Sequence, residues 1–292
     1  MQTESKLESA SHRENRLPAS ALTIRQMDVQ FPDLPLNYWG GRAGQTNFIN
    51  SLHILFPPAE RYFVRIFNRA VRELKNPELQ SMARGFSGQE MQHSVEHQKL
   101  QEQLSSNHRM DDLVRRTEGL FARLESRLPL KWNMALVAAI EHFTALFGNI
   151  VLTQKDMFAS MHSGMRDLLF WHAAEEIEHK AVAFDVFRGL SSSYLLRVIF
   201  VFPAYLAVLG FTVGLMLELS RRQKELWKLA MLQDLWFLLT GKHYLIWRCT
   251  GAVLSYCSPG FHPDEVADHY LAGEITGKLR PVRARTIPFV SA

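Results

Sequence analysis

Two short segments place a glutamate and a histidine three residues apart, and together they limit the fold more than any other feature. Residues 89–93 read QEMQH and contain Glu90 and His93, while residues 171–179 read WHAAEEIEH and contain Glu176 and His179. On an α-helix, residues three apart share a face, with Cβ atoms about 5–6 Å apart. Each segment, if helical, therefore directs one carboxylate and one imidazole to the same point.

Two further segments each carry one glutamate in an apolar helical stripe. Glu60 shares a face with Phe63 and Phe67, and Glu141 shares a face with Val137. Burying an unpaired carboxylate costs far more free energy than a short apolar stripe returns. We therefore expect cations to meet these two inward-facing acids.

The combined set resembles the ligands of the ferritin-like di-iron and di-manganese carboxylate proteins, in which two helices give one Glu each and two give Glu-x-x-His. The order along the chain is also that of these proteins. The resemblance implies an all-α, ferritin-like four-helix bundle that holds two metal ions. Four ionised glutamates and two divalent cations would leave no net charge. The six predicted ligands are Glu60, Glu90, His93, Glu141, Glu176 and His179.

The spacing of the ligands predicts how the helices are connected. Glu60 to Glu90 and Glu141 to Glu176 fit two helical hairpins with short turns, but Glu90 to Glu141 leaves a longer connection. If the second and third long helices are parallel, the chain must return about 35 Å, at about 1.5 Å per helical residue. Residues 106–129 can span that distance, which favours the long middle crossover of ferritin-like folds.

His172 lies four residues before Glu176, on the same helical face. The run from His172 to His179 resembles di-iron arylamine N-oxygenases, in which an extra histidine is a third imidazole ligand. That resemblance implies that His172 is a seventh metal ligand. The alternative is that His172 holds a ligand in place by a hydrogen bond.

Three further residues are predicted to support the ligands rather than to bind metal: His97, Glu175 and Asp185. His97 lies one turn past His93 and about 10 Å along the helix axis from Glu90. Glu175 competes with Glu176 as a ligand, but Glu176 reproduces the three-residue spacing of the first segment. We predict no catalytic residue beyond the metal ligands.

Helical spacing of apolar residues runs from Thr46 onward and predicts an all-α domain. Residues 1–27 are polar and read as a disordered leader that contributes nothing to the core. The sequence predicts a single helical metal-binding domain over 28–270, with the bundle over about 45–190, extra apolar helices over about 194–258 and a basic flexible tail over 271–292. The predicted helices are 58–75, opened by Pro57-Pro58, then 77–105, 110–127, 130–158, 163–188 and 194–220, with a further helical region over 224–258.

Composition excludes several classes of protein. The formal charge is only +4, with basic and acidic residues mixed, so we expect no nucleic-acid binding. Cys249 and Cys257 are too few for a disulfide framework. The first 26 residues lack the apolar core of a secretory signal. These features predict a cytoplasmic protein, with membrane association left open.

Residues 198–217 contain no charged side chain and are long enough to cross a bilayer. Lys242, His243 and Arg248 interrupt the next apolar region, so we expect no second comparable span. The sequence leaves two alternatives open. This helix either crosses or docks on a membrane, or it packs on the bundle or in a homo-oligomer interface.

The sequence also resembles the bacterial family labelled "predicted metal-dependent hydrolase", over most of residues 37–265. The block around 171–185 is the most specific part of the resemblance. The segments that carry it are NYW at 37–39, FPPAER at 56–61, QEMQH at 89–93, EHFT at 141–144, WHAAEEIEHK at 171–180 and PGFHP at 259–263.

The ligand pattern favours a non-haem di-iron oxidase or oxygenase that uses O₂ and an external electron donor on a mainly apolar small organic substrate. Carboxylate and imidazole ligands suit iron, with manganese and zinc as alternatives. The family label favours a two-metal-dependent hydrolase instead. A non-catalytic metal-binding protein is the third alternative.

Overall fold

The described part of the chain is 79% helical and, within these residues, has no strand, which confirms the predicted all-α class. The structure is a computed structural model that describes residues 22–27, 29–108, 110–239 and 245–277. Within these ranges the one β-bridge joins Trp39 and Met161. The α-helices are α1 (Ala43–Glu73), α2 (Pro77–His108), α3 (Asp111–Arg127), α4 (Leu130–Thr153), α5 (Ser163–His179), α6 (Val182–Leu190), α7 (Tyr194–Arg222), α8 (Leu229–Leu239), α9 (Leu245–Tyr256) and α10 (His269–Thr276).

Helix α1 begins at Ala43, so the predicted start at Pro57-Pro58 is wrong. A proline inside a helix cannot donate to the carbonyl four residues earlier, which for Pro57 is that of His53. The side-chain amide of Gln101, on α2, donates to this carbonyl instead. A tertiary hydrogen bond thus replaces the missing helical one, and α1 continues through both prolines.

Two other predicted helices differ in extent. The helix predicted over 130–158 ends at Thr153 and is followed by a short 3₁₀ helix, Lys155–Phe158. The helix predicted over 163–188 is divided by a turn at Lys180. The buried Lys180 ammonium donates to Asp268 Oδ1 and to the Val266 carbonyl, each at 2.5 Å. These bonds hold the turn against the C-terminal segment.

The N-terminal prediction needs a correction. Residues 1–21 of the predicted leader lie outside the described residues, but residues 22–27 lie against α2. Leu22 packs on the core, and Ile24 passes so close to Gly88 that a Cβ there would lie 2.2 Å from Ile24 Cδ1. The prediction that the chain up to residue 27 contributes nothing to the core is therefore wrong.

The predicted flexible tail also begins too early. Helix α10 occupies residues that were assigned to the tail from 271 onward, and its Leu271 and Ala272 are buried against the domain. The basic part of the predicted tail, residues 278–292, lies outside the described residues.

Four long helices surround a common interior. Helix α1 packs along α2, and α4 packs along α5, while α1 also contacts α4 and α2 contacts α5. The connection from α2 to α4 passes through α3, which packs on α1. Helix α7 covers α1 and α4 from outside. Every predicted ligand lies on α1, α2, α4 or α5.

Among the residues that the structure describes, two helices are long and apolar enough to cross a membrane, judged by length and composition alone. One is α4, which corrects the expectation of no second apolar span. In the most apolar 18-residue stretch of α4, 67% of the residues are buried. This helix also carries Glu141 in the interior. The other is α7, in which only 28% of the residues of the corresponding 18-residue stretch are buried. Burial thus distinguishes a core helix from one with an open apolar face.

Candidate metal centre

The structure brings all six predicted ligands into one buried cluster at the centre of the four helices. None of these side chains is more than 5% exposed, although each is ionisable. Helix α1 contributes one of them, α2 two, α4 one and α5 two. They are Glu60, Glu90, His93, Glu141, Glu176 and His179.

The cluster contains two overlapping groups that can each hold a cation. The first consists of Glu60, Glu90 and His93, and the second of Glu90, Glu141 and His179. In each group, one ligand atom from every residue lies within 4.8 Å of the others. Because Glu90 belongs to both groups, its carboxylate lies between the two positions.

Glu176 also lies between the two imidazoles. Its Oε1 is 3.7 Å from His93 Nδ1, and its Oε2 is 3.5 Å from His179 Nε2. Glu90 Oε1 is 3.7 Å from His93 Nδ1 and 3.2 Å from His179 Nε2. The two carboxylates of the Glu-x-x-His segments are thus shared by both halves of the cluster, whereas Glu60 and Glu141 each belong to one half.

Each of the six residues presents at least one buried polar atom without a hydrogen-bond partner. Leaving such an atom unsatisfied costs about 1–3 kcal/mol, and more if it is charged. A cation between these atoms would satisfy them together, so the donor set fits a metal centre. The atoms are Glu60 Oε1 and Oε2, Glu90 Oε1 and Oε2, His93 Nδ1, Glu141 Oε1 and Oε2, Glu176 Oε2 and His179 Nε2.

The pKa shifts of the buried glutamates also favour bound cations. Burial and the nearby Glu176 raise the pKa of Glu141 to about 8. Burial and the nearby Glu90 raise the pKa of Glu60 well above its usual range. Burial opposes ionisation of Glu176 as well, but the adjacent His179 holds its pKa well below the usual range. Without cations, the protein cannot keep all four carboxylates ionised near pH 7.

A hydrogen bond on its far side fixes the orientation of the first imidazole. His93 Nε2 donates to Glu175 Oε2 at 3.0 Å, which leaves Nδ1 facing the cluster. Arg25 Nη1 in turn donates to Glu175 Oε1 at 2.9 Å. Glu175 thus has the supporting position that the sequence predicts for it. The sequence reasoning missed Arg25, because it lies in the segment assigned to the leader.

The second imidazole is held in the same way. His179 Nδ1 donates to Gln89 Oε1 at 3.0 Å, and Gln89 Nε2 donates to Glu178 Oε2 at 3.1 Å. Arg25 also binds Glu178, through Nη1 at 2.7 Å and Nη2 at 3.0 Å. One arginine from the N-terminal segment therefore connects the supports of both imidazoles.

His172 and His97 also reach the cluster. His172 Nε2 lies 2.7 Å from Glu176 Oε1 and 3.9 Å from Glu60 Oε1. His97 Nε2 lies 2.5 Å from His172 Nδ1 and 3.8 Å from Glu60 Oε1. A further group that can hold a cation consists of Glu60, His97 and His172. His97, predicted only as a support, is thus as close to Glu60 as His172 is.

His53 extends this row of imidazoles and was missed by the sequence reasoning. It is buried, and its Nδ1 lies 2.9 Å from His97 Nδ1. Burial, aided by His172, lowers its pKa to about 3, and burial also lowers the pKa of His97 and His172. His53 precedes Glu60 by two helical turns. If the predicted first helix had continued through the two prolines, this spacing would have placed His53 on the same face as Glu60.

Two other polar residues lie away from the cluster. Asp185, predicted as a support for the ligands, accepts a hydrogen bond from His262 Nε2 at 3.1 Å and lines a separate surface pocket beyond the Lys180 turn. His142 Nε2 donates to the Ala252 carbonyl at 3.0 Å, and its ring packs on Tyr256. Asp185 therefore does not support the ligands, and His142 has a packing role.

One side of the cluster opens into an apolar cavity of about 100 Å³. Glu176 and His172 lie at its inner end. Its walls are formed mainly by carbon atoms from α1, α4, α5, α7 and α9, among them Phe48, Phe56, Phe143, Phe147, Tyr205, Val208, Leu209, Thr212 and Cys249. The cavity suits an apolar molecule that reaches the cluster from the α7 side.

No curated protein and no solved structure matches this chain significantly. One protein family does match, and it is described as "Predicted metal-dependent hydrolase". The match covers residues 23–267, which include all the residues of the cluster as well as Arg25. The chain therefore belongs to the predicted metal-dependent hydrolase family.

Proposed function

We propose that this protein is a dinuclear metal enzyme that uses O₂ to oxidise a small, mainly apolar organic molecule. The observation that carries the proposal is the set of unpartnered carboxylate and imidazole atoms, all buried, at the end of an apolar cavity. Such a donor set, built from oxygen and nitrogen atoms without sulfur, suits iron, with manganese or zinc as alternatives.

The geometry suggests how the ligands divide between two ions. Glu60 and His93 would hold one ion, and Glu141 and His179 the other. Glu90 and Glu176 would contribute to both positions, because each of these carboxylates approaches both imidazoles. His172 would complete the first position from the cavity side, since it contacts Glu176 and lies near Glu60.

Bound iron would supply the one-electron and O₂ chemistry that protein side chains lack. The chain's own contribution is to position and isolate the reacting molecule. Phe56, Phe143 and Phe147 exclude water from the cavity, while Glu175 and Gln89 fix the two imidazoles. Reduction of O₂ consumes electrons, so the proposal includes an external electron donor.

Hydrolysis by the same two-metal centre is the second candidate, and the description of the family favours it. Hydrolysis develops negative charge on the substrate and needs hydrogen-bond donors placed near that charge. Apart from Glu176 and His172, the side chains of the cavity wall that carry a polar group are Thr144, Tyr205, Thr212 and Cys249, and the rest of the wall is hydrocarbon. This wall is better suited to holding a hydrocarbon group than a polar scissile bond.

One comparison separates the two reactions. The protein would be loaded with Fe(II) or with Zn(II) under anaerobic conditions, at two equivalents per chain. We expect the iron form, supplied with a chemical reductant, to consume O₂ and the zinc form not to do so. Hydrolysis of model carboxylic or phosphoric esters by the zinc form without O₂, at the rate of the iron form, would overturn the proposal in favour of the hydrolase. More than two tightly bound ions per chain, without turnover, would favour metal storage.

A further inference from the structure

Helix α7 has an inner face that packs on the domain. Val201, Ala204, Thr212, Met216 and Leu219 are buried there, and the helix contacts α1 and α4 along this side. The spacing of these residues is that of a single helical stripe. The opposite side of α7 would ordinarily be polar, because it faces outward.

The outward face of α7 is instead apolar along its length. The face consists of Leu195, Ile199, Phe202, Pro203, Leu206, Ala207, Gly210, Phe211 and Gly214, all of them exposed. It extends about 28 Å, at about 1.5 Å per residue. Leu195 and Leu206 are each 66% exposed. Single exposed leucines are ordinary, but a continuous exposed apolar face of this length indicates an interaction surface.

Residues at the start of α7 and in the segment that follows it suit the boundary between lipid and water. Tyr194 is exposed at the start of the helix, and Trp227, five residues past its last residue, is 93% exposed. Tyrosine and tryptophan are enriched at this boundary because they combine an apolar ring with a polar group. The start of α7 and the segment after it therefore each present a residue type that membrane surfaces retain.

The charge around the face complements anionic lipid. Residues 218–228, at and beyond its C-terminal end, carry four basic and two acidic side chains. Arg221 and Lys228 pair with the two acids, Glu218 and Glu225, and Lys224 is exposed, so this region keeps an excess of positive charge. Basic residues beside an apolar membrane-binding surface each contribute about 1 kcal/mol of attraction to anionic headgroups.

The same helix connects this face to the cavity beside the cluster. Tyr205, Val208 and Leu209 are partly buried on α7 and line the cavity, and Leu206, between them in sequence, points outward. The inner end of the cavity is formed by Glu176 and His172. A molecule that enters past α7 would thus travel from the apolar face to the cluster along carbon-lined walls.

We propose that the outward face of α7 docks on an anionic lipid bilayer and that the cavity takes up an alkyl chain from that bilayer. The helix lies in the plane of the interface, because its inner face stays packed on α1 and α4. A cavity of about 100 Å³ accepts the end of one hydrocarbon chain rather than a bulky ring system. The choice of an alkyl chain as substrate rests on the proposed oxidation, whereas the docking does not.

Docking is tested by sedimentation of the full-length protein with phosphatidylcholine vesicles that do or do not contain equal parts of phosphatidylglycerol. We expect the protein to bind the anionic vesicles. Leu206→Glu and Ile199→Glu should each weaken binding by about ten-fold or more, since burying one such side chain contributes at least that much. Leu36→Glu is the matched control, because Leu36 is 48% exposed and precedes α1. It should bind like the wild type.

Circular dichroism and the metal content of each variant show that it is folded. Equal vesicle binding by the wild type, Leu206→Glu and Ile199→Glu would overturn the docking proposal, and so would failure of the wild type to bind anionic vesicles. A wild-type dimer that Leu206→Glu converts to a monomer, without vesicle binding, would assign the face to a second copy of the chain.

Uptake is tested with 1-octanol as the probe, by calorimetry. We expect the wild type to bind it and Leu209→Trp, which fills the cavity, to lose binding at least ten-fold while still binding vesicles. Equal binding of 1-octanol by both proteins would overturn the uptake route. Binding of vesicles and binding of 1-octanol do not require turnover. The proposed oxidation is tested separately, by metal content and O₂ consumption. A failure of docking or uptake can therefore be distinguished from a failure of the proposed oxidation.

Discussion

Arg25 Nη1 donates to Glu175 Oε1 across 2.9 Å, and Glu175 holds His93 in turn through its other oxygen. The guanidinium is largely buried at this contact, with 12% of the side chain exposed. An arginine outside the four central helices thus determines which nitrogen of His93 faces the cluster. The N-terminal segment is part of the candidate metal centre in this sense, although it contributes none of the candidate ligands.

Replacing Arg25 with methionine should weaken metal binding without unfolding the protein. Loss of such a supporting contact lowers metal affinity by about 10–100-fold. The measurement is competition with a metal chelator of known affinity, and Arg25→Lys should recover part of the loss. Arg65→Met is the control, because Arg65 pairs with Glu125 at a more exposed site. Equal metal affinity in Arg25→Met and the wild type would contradict this role.

Replacing His172 should affect the two metal positions unequally. His172 lies near Glu60 and Glu176 but belongs to no group with Glu141. We expect His172→Phe to weaken binding of one ion by about ten-fold or more and to leave the other bound, because one nitrogen donor is lost from one side. Stepwise metal titration measures this. His142→Phe is the control, because it removes a half-buried histidine that is bonded to a backbone carbonyl. It should leave the affinities of both metal-binding steps unchanged. Simultaneous loss of both ions from His172→Phe would be inconsistent with the two-position arrangement.

The metal-free protein should become less stable as the pH rises from about 7 to about 8.5. In the folded state, burial and Glu176 raise the pKa of Glu141 to about 8, so it holds a proton that the unfolded chain has already released. His93 and His179 act in the same direction, because their pKa is raised although burial opposes it. The four described imidazoles of lowered pKa, His53, His97, His142 and His172, are mostly uncharged in both states above about pH 7 and contribute little slope there.

Metal binding should remove this pH dependence, because the bound cations keep Glu141 ionised and binding releases its proton. Urea unfolding of chelator-treated and metal-loaded protein at the two pH values measures the difference. The stabilisation by metal should be larger at the higher pH. A metal-free protein whose free energy of unfolding rises over this interval would contradict the assigned protonation states.

The path of α1 through Pro57 depends on Gln101. Its side-chain amide donates to the His53 carbonyl, which has lost its helical partner. Gln101→Met should lower the free energy of unfolding by about 1–3 kcal/mol, because a buried carbonyl is left unsatisfied. Gln98→Met, on the exposed side of the same helix, should change it by less than about 0.5 kcal/mol. Equal unfolding curves for both variants would show that water or another group satisfies this carbonyl.

The clustering of the six candidate ligands was predictable because their signal is local. A Glu and a His three residues apart on one helix point to one place whatever the helix packs against, so Glu90 with His93 and Glu176 with His179 follow from spacing alone. Glu60 and Glu141 follow from the cost of burying a lone acid. These expectations required no knowledge of how the helices are arranged.

The supporting residues were not predictable in this way. Arg25 reaches Glu175 from a segment 150 residues away, and the sequence around it has the polar composition of a disordered leader. His97 lies too far along α2 to share an ion with Glu90 on its own helix, yet it meets Glu60 and His172 from neighbouring helices. His53 was hidden because Pro57-Pro58 normally marks the start of a helix. In each case a tertiary contact outweighs the local pattern.

The most direct test of the account is the metal content of anaerobically prepared protein, measured by elemental analysis for the wild type, Glu90→Gln and Glu96→Gln. Glu90 belongs to both groups of ligands, whereas Glu96, equally buried on the same helix, pairs with Lys99. The account predicts two ions per chain in the wild type and in Glu96→Gln, and fewer than one in Glu90→Gln. Wild-type protein without bound metal, or Glu90→Gln with the full complement, would contradict it.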